Sequence, residues 1–163
     1  MDYPPRTLIL LRHAKSAWPE GIPDFQRPLA GRGRRDAPAV GRWLRQQAPV
    51  IDLVVCSPAV RARQTWDLVA AQLDEEPPTR HDERLYGSCA EVFLTVTQEL
   101  PPEASTVLLV GHNPSLEHFL ELLTDTSHQL KTATIAVVTT PVGWAAAHPG
   151  SWSLAALTTP RGG

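Results

Sequence analysis

The chemistry in this sequence gathers where three apolar runs give way to ionisable residues. "LILLRHAKSAW" passes from Leu8–Leu11 straight into Arg12 and His13, "IDLVVCSPAVRARQT" leads through Ser57 and Pro58 to Arg61, and "STVLLVGHNPS" ends on Gly111, His112 and Asn113. Two arginines and two histidines brought together would leave dense positive charge uncompensated, because no Asp or Glu lies in the exits of the three runs, Arg12-His13, "CSPAVRARQT" and "GHNPS". Such a site asks for an anion. The planar guanidinium fork suits phosphate oxygens, and free N–H groups at helix starts add donors, so a phosphoryl group fits better than sulfate or carboxylate. A neutral imidazole is also a nucleophile that can carry a phosphoryl group covalently. His13 is the expected attacker, since Arg12 and Arg61 would hold phosphate oxygens while disfavouring protonation of its ring. His112 would then stabilise charge on the transferring group.

A scaffold must bring those three exits together. Thr7–Arg12, Ile51–Ser57 and Ser105–Gly111 are short continuous apolar runs, the pattern of strands covered on both faces, and "TIAVVTT" and "SWSLAAL" are further candidates. Between them, Ala37, Val40, Trp43 and Leu44 share one helical face, and Trp66, Val69, Ala70 and Leu73 share another. A third helix is expected from "SCAE", with Ser88 and Glu91 at capping-box spacing and Val92, Phe93 and Val96 following. A fourth is expected with Asn113 as N-cap, Pro114 at its first position and Leu116, Phe119, Leu120 and Leu123 inward. Ser57 and Pro58 are placed in the same way at the start of the helix carrying Arg61. The alternation predicts an α/β fold, a three-layer α/β/α sandwich with a mainly parallel sheet, formed as a single domain over residues 1–163. Ligand sites in such sheets lie beyond the carboxyl ends of the strands, where the three motifs fall.

In this order and spacing, "LRHAKS", "SPAVRARQT" and "GHNP" resemble the histidine phosphatase superfamily, with its phosphoglycerate mutase-like fold. More narrowly, "RHAKSAW", "RPLAGRGRRDA" and "ERLYG" resemble the small SixA-type phosphohistidine phosphatases, and the matches run from about Leu8 to Leu123. The resemblance implies that His13 is the phosphorylated nucleophile, that Arg12, Arg61 and His112 complete the phosphate pocket, and that Ser16 and Asn113 contact substrate. It implies no cofactor and no metal. This chain has Ala14 and Lys15 where many members carry Gly and an acidic residue, and neither change removes a reacting atom.

Larger members place a Glu or Asp general acid where this chain reads "DERLYGSCAE"; Glu83 precedes that position and Gly87 falls near it, so no proton donor is assigned. SixA-type members share this lack. A phosphoramidate leaving group protonates more readily than an alkoxide, which favours phosphohistidine or a similar substrate. With only Thr79–Pro102 joining the second helix to the next core strand, there is little material for a lid. An open site suits a phosphorylated side chain on a protein better than a small phosphorylated metabolite. The alternatives are a general phosphomonoesterase or mutase and a phosphate-binding module without turnover.

Composition narrows the remaining classes. The 163 residues are 42% hydrophobic and 20% charged, an ordinary globular balance, and a formal charge of −2 gives no general attraction to nucleic acid. No apolar run approaches a membrane span and "MDYPPRT" is not a signal peptide, so a cytoplasmic protein with no membrane partner is expected. Cys56 and Cys89 read as reduced thiols, and a zinc site from His13, His112 and Cys56 lacks the usual orienting carboxylates. Taken singly, His13 reads as a satisfied surface histidine and Arg61 as a helix ion pair, to Asp67 or another acid; the linked motifs reverse both readings. Trp18, in the loop "SAWPEGIPDFQRPL", either packs inward or walls the pocket, and Arg27 either reaches substrate or anchors the loop to Asp24.

Overall fold

A computed structural model describes residues 5–163. Six strands, β1 (Arg6–Arg12), β2 (Leu53–Cys56), β3 (Thr79–His81), β4 (Thr106–Gly111), β5 (Ile135–Thr140) and β6 (Ser153–Thr158), form one sheet in the order β3-β2-β4-β1-β5-β6. The pairs β1–β4, β2–β4 and β2–β3 are parallel, whereas β5 runs antiparallel to both β1 and β6. Five strands therefore share a direction and β5 alone is reversed, so the sheet is mainly parallel as expected. The short strand β3 has no apolar run to announce it and falls in the stretch expected to connect the second helix to the next core strand.

The helices are α1 (Gly31–Gln47), α2 (Val60–Ala70), α3 (Ala90–Gln98) and α4 (Ser115–Thr124). Alternation along β1 distributes its side chains between two cores. Ile9 and Leu11 pack with Ala37, Val40 and Leu44 of α1 and Trp66 and Val69 of α2, while Leu8 and Leu10 pack with Phe93 of α3 and Leu116, Phe119 and Leu120 of α4. This is the three-layer sandwich the sequence predicts. Trp43, expected inward, is only partly buried at the margin, and Leu73 packs from just beyond α2.

Helix starts depart from the predicted caps. The N-cap residues of α2, α3 and α4 are Ala59, Cys89 and Pro114, none with a side-chain cap bond, rather than Ser57, Ser88 and Asn113. Each predicted cap lies one or two residues too early. Ser57 Oγ bonds His112 and accepts from the Ala59 N–H, and the Asn113 amide donates to Glu117 and Leu130, so two of the three polar groups serve the site.

At the far end of the chain, the tail crosses α1. The carboxylate of Asp36, 1% exposed, accepts from Arg161 Nη1 at 3.0 Å and from the Gly162 backbone at 3.0 Å. Gly162 sits so close to α1 that a Cβ there would lie 2.0 Å from the Arg35 carbonyl. Among the described residues, no helix is long and apolar enough to cross a membrane.

Candidate active site

The parallel register aligns Arg12, the last residue of β1, with Gly111 of β4, so that the next residues, His13 and His112, leave the sheet side by side. Their ring centroids are 5.0 Å apart. His13 Nδ1 lies 2.7 Å from the Ala14 carbonyl oxygen. A carbonyl only accepts, so Nδ1 carries the proton and Nε2 keeps its lone pair. Burial, then His112, and behind it Arg61 and Arg12, push the His13 pKa down to about 3, against the opposing bond to Ala14. The ring is neutral at physiological pH.

The turn after β1 is fixed from two sides. The Ala14 N–H donates to Thr65 Oγ1 at 3.0 Å, and that hydroxyl donates to the Arg61 carbonyl at 2.7 Å, which hangs the nucleophile turn on α2. On the other side α1 comes so close that a Cβ at Gly33 would lie 2.2 Å from the Lys15 carbonyl oxygen. Only glycine permits that approach, which gives the "AGRG" segment a physical reason.

Arg61, the second residue of α2, is 5% exposed and is engaged by a residue the three motifs do not contain. Its Nη1 donates to the Asp24 carbonyl at 2.7 Å and its Nη2 to Asp24 Oδ2 at 3.1 Å. The same carboxylate accepts from the Tyr86 hydroxyl at 2.7 Å and from Arg27 Nε at 3.1 Å. The Tyr86 bond, followed by those from Arg27 and Arg61, holds the Asp24 pKa at about 2 despite some burial. The expectation of wholly uncompensated positive charge is thus corrected, as is Asp67 as the acid for Arg61: the loop between β1 and α1 supplies the counter-charge. The signal for it in the sequence is Asp24 three residues before Arg27, an acid that both anchors the loop and reaches Arg61.

Arg27 does anchor the loop, donating also to Ser16 Oγ at 2.8 Å and to the Ala17 carbonyl at 3.1 Å. Trp18 does not pack inward. It is 75% exposed, with the Arg27 guanidinium 3.4 Å from its ring centroid, and it lines the cavity mouth. Ser16 lies beside it, buried and holding Arg27.

His112 Nε2 lies 2.7 Å from Ser57 Oγ, and its ring meets that of Tyr86 in a T-shaped contact with centroids 5.5 Å apart. Burial and then Arg61 lower its pKa to about 4, offset in part by Asp24. Arg12 Nη1 donates to the Leu130 carbonyl at 2.9 Å. Asn113, joined to Pro114 by a cis peptide, gives Nδ2 to Glu117 and to the same Leu130 carbonyl.

All six predicted residues, His13, Arg12, Arg61, His112, Ser16 and Asn113, line one cavity of about 460 Å³, with Lys15, Trp18, Asp24, Arg27, Tyr86, Gly87 and Thr132. Glu83 does not line it and is exposed; Gly87 and Tyr86 take the position the sequence comparison pointed to. Arg12 Nε, Arg61 Nε, His112 Nδ1 and Asn113 Oδ1 are buried with no hydrogen-bond partner among the described residues, and three of them are nitrogens. Cys56 lies behind the pocket as a buried thiol donating to the Ser57 carbonyl, its pKa pushed up to about 12 by burial, so it is no ready thiolate ligand.

The sequence profile of the histidine phosphatase superfamily (branch 1) matches residues 8–103. The chain belongs to that superfamily. Its sheet and helices are those of the phosphoglycerate mutase-like fold, and its family is one of phosphatases, hydrolases of phosphoryl groups. The uncharacterized protein Rv1276c of Mycobacterium tuberculosis is 38% identical over 162 residues, spanning 93% of this chain and 100% of the relative. A structure assigned as the phosphohistidine phosphatase SixA of Nakamurella multipartitia superposes with a TM-score of 0.87 at 32% identity, covering 98% of this chain and 99% of the other. The protein histidine phosphatase SixA complexed with tungstate shares the fold, with a TM-score of 0.82 at 24% identity over 94% of this chain and 97% of its own.

Proposed function

We propose that the protein is a phosphohistidine phosphatase that takes the phosphoryl group onto His13 Nε2 and then hydrolyses it. The observation that carries this reading is the Nδ1 bond to Ala14, which fixes the tautomer of a buried, neutral imidazole and leaves the Nε2 lone pair free for attack beside two arginines. Arg12, Arg61 and His112 surround the transferring group and bind its oxygens. The tungstate complex of the related SixA supports an oxyanion pocket in this fold, tungstate being a tetrahedral anion like phosphate.

In the first step the Nε2 lone pair bonds to phosphorus while the bond from phosphorus to the substrate nitrogen breaks, that nitrogen ending protonated from solvent. In the second, water attacks phosphorus, the bond to Nε2 breaks, one water proton passes to solvent, and phosphate leaves with His13 restored. Asp24, the one carboxyl lining the pocket among the described residues, is held ionised near neutral pH and has no proton to give. A leaving imidazole tolerates that, whereas an alkoxide calls for a general acid. Ser16 and Asn113 hold Arg27 and the 130 segment and line the same cavity, where they would also contact substrate.

The substrate side chain belongs to a protein. Trp18, Ile22 and Phe25, exposed by 75%, 42% and 37%, lie in the one loop that brings Trp18 and Asp24 to the cavity. Phe25 packs against Tyr86 and Trp18 rests on Arg27, so two of these apolar side chains are held beside the site. Exposed apolar surface beside a site marks a contact face.

The decisive experiment measures phosphate release from a phosphohistidine protein and from a panel of phosphomonoesters, with His13→Ala in parallel. Preference for phosphohistidine that disappears in the folded variant is expected. Equal turnover of phosphomonoesters would make the protein a general phosphomonoesterase, and phosphate binding without release would make it a binding module.

A further inference from the structure

Glu117 lies on α4, outside the cavity lining, yet one of its oxygens organises the pocket floor. Oε2 accepts from Asn113 Nδ2 at 2.9 Å and from the Leu130 backbone N–H at 2.8 Å. Both donors are fixed to one acceptor, so the carboxylate determines where the peptide at Leu130 sits. The other face of that residue is the carbonyl that accepts from Arg12 Nη1 at 2.9 Å and from Asn113 Nδ2 at 2.8 Å. Leu130 itself is 1% exposed and packed in the core below α4, so the segment has little freedom to adjust.

The orientation of the Asn113 amide is forced by its partners. A carboxylate and a carbonyl can only accept, so the NH2 group must lie between them. Downstream, the Ala133 N–H is shared between the Arg12 and His13 carbonyls, each at 3.1 Å, and Arg161 Nη1 donates to the Thr132 carbonyl at 3.0 Å. The segment from Leu130 to Ala133 is thus tied to the nucleophile turn at one end and to α4 at the other. Arg12 also feels the Glu117 charge, which opposes the effect of burial on its guanidinium.

We infer that Glu117 is a positioning residue of the phosphate site, acting through the Leu130 carbonyl to aim the Arg12 guanidinium. The inference rests on the reading of the cavity as a phosphate pocket. A guanidinium binds phosphate well only when its N–H fork is directed, and a lost charged hydrogen bond in the supporting shell releases it.

The test compares wild type, Glu117→Ala, Glu117→Gln and Arg12→Ala, with the Arg12→Ala/Glu117→Ala double variant. The readouts are inorganic phosphate affinity by calorimetry and hydrolysis of a small phosphoramidate, with folding checked by circular dichroism. Glu117→Ala is expected to weaken phosphate binding about tenfold. Glu117→Gln, whose amide oxygen still accepts both bonds, is expected to stay within about threefold of wild type. In the Arg12→Ala background, loss of Glu117 is expected to add less than about twofold, because the two residues act as one unit.

Unchanged phosphate affinity in folded Glu117→Ala, or full additivity with Arg12→Ala, overturns the inference and leaves the phosphate reading intact. Should Glu117→Ala not fold, Glu117→Asp, which withdraws the oxygen by one methylene, carries the same expectation. A wild-type protein that neither binds phosphate nor hydrolyses the phosphoramidate overturns the phosphate reading itself.

Discussion

Asp24 accepts twice from Arg61, once at its backbone carbonyl at 2.7 Å and once at its carboxylate at 3.1 Å. The pair sets both the direction of the guanidinium and the charge an arriving phosphoryl group meets. A carboxylate facing the pocket repels a phosphate dianion, which favours product release.

Asp24→Asn keeps an acceptor oxygen and removes the charge. Inorganic phosphate should then inhibit more strongly, by severalfold at low salt, with the difference shrinking as ionic strength rises. Inhibition constants for phosphate at two salt concentrations check this. Asp24→Ala, which also loses the side-chain bonds to Arg61, Arg27 and Tyr86, should instead lower kcat/KM.

Thr65 is fully buried and its hydroxyl is the acceptor for the Ala14 N–H. Thr65→Val preserves shape and orphans that donor, at a cost of about 1–3 kcal/mol in stability. Because the orphaned N–H lies in the turn after His13, activity should fall more steeply than stability predicts. Thermal unfolding and kcat/KM on the same preparation separate the two effects.

Acid should destabilise the fold through its two active-site histidines. Their folded pKa values, about 3 for His13 and about 4 for His112, lie below the ordinary value of 6.5, so the unfolded chain binds more protons in between. Stability therefore rises with pH across that window and is lost as pH falls from about 6.5 towards 4 and below. Asp24, depressed to about 2, adds a loss in the same direction below about pH 4. Tm measured from pH 7 to pH 4 should decline, and His13→Gln should flatten the upper part of the decline.

Trp18→Ala should separate substrate classes. Removing an exposed ring that rests on Arg27 leaves the reacting groups in place, so hydrolysis of a small phosphoramidate should change less than about threefold, while kcat/KM on a phosphohistidine protein should fall about tenfold or more. Parallel kinetics on the two substrates, with Trp18→Phe as the conservative control, measure the ratio.

The parts of this structure that were legible in the sequence are those in which residue type and position in the chain carry the same message. Continuous apolar runs announced β1, β2 and β4, and the ionisable residues immediately after them fell into one cavity because parallel strands end on one side of a sheet. Strand β3 was silent because "TRH" at an edge needs no apolar alternation. The caps were misplaced because Ser57 and Asn113 have the residue types of helix starts while their polar groups serve His112 and Leu130. Asp24 and Tyr86 were missed as a pair because their contact joins residues 62 positions apart, and no local pattern reports it.

The tail against α1 bears on how the protein can be handled and engineered. Arg161 and Gly162 fill the pocket above Asp36, but Gly163 is exposed and a Cβ there would meet nothing within 4 Å. Chain attached at Gly163 has an open path, whereas cutting before Arg161 removes the nearer of the two cations on a buried carboxylate and leaves it Arg32 at 3.5 Å. That cut would also release the Thr132 carbonyl at the edge of the cavity.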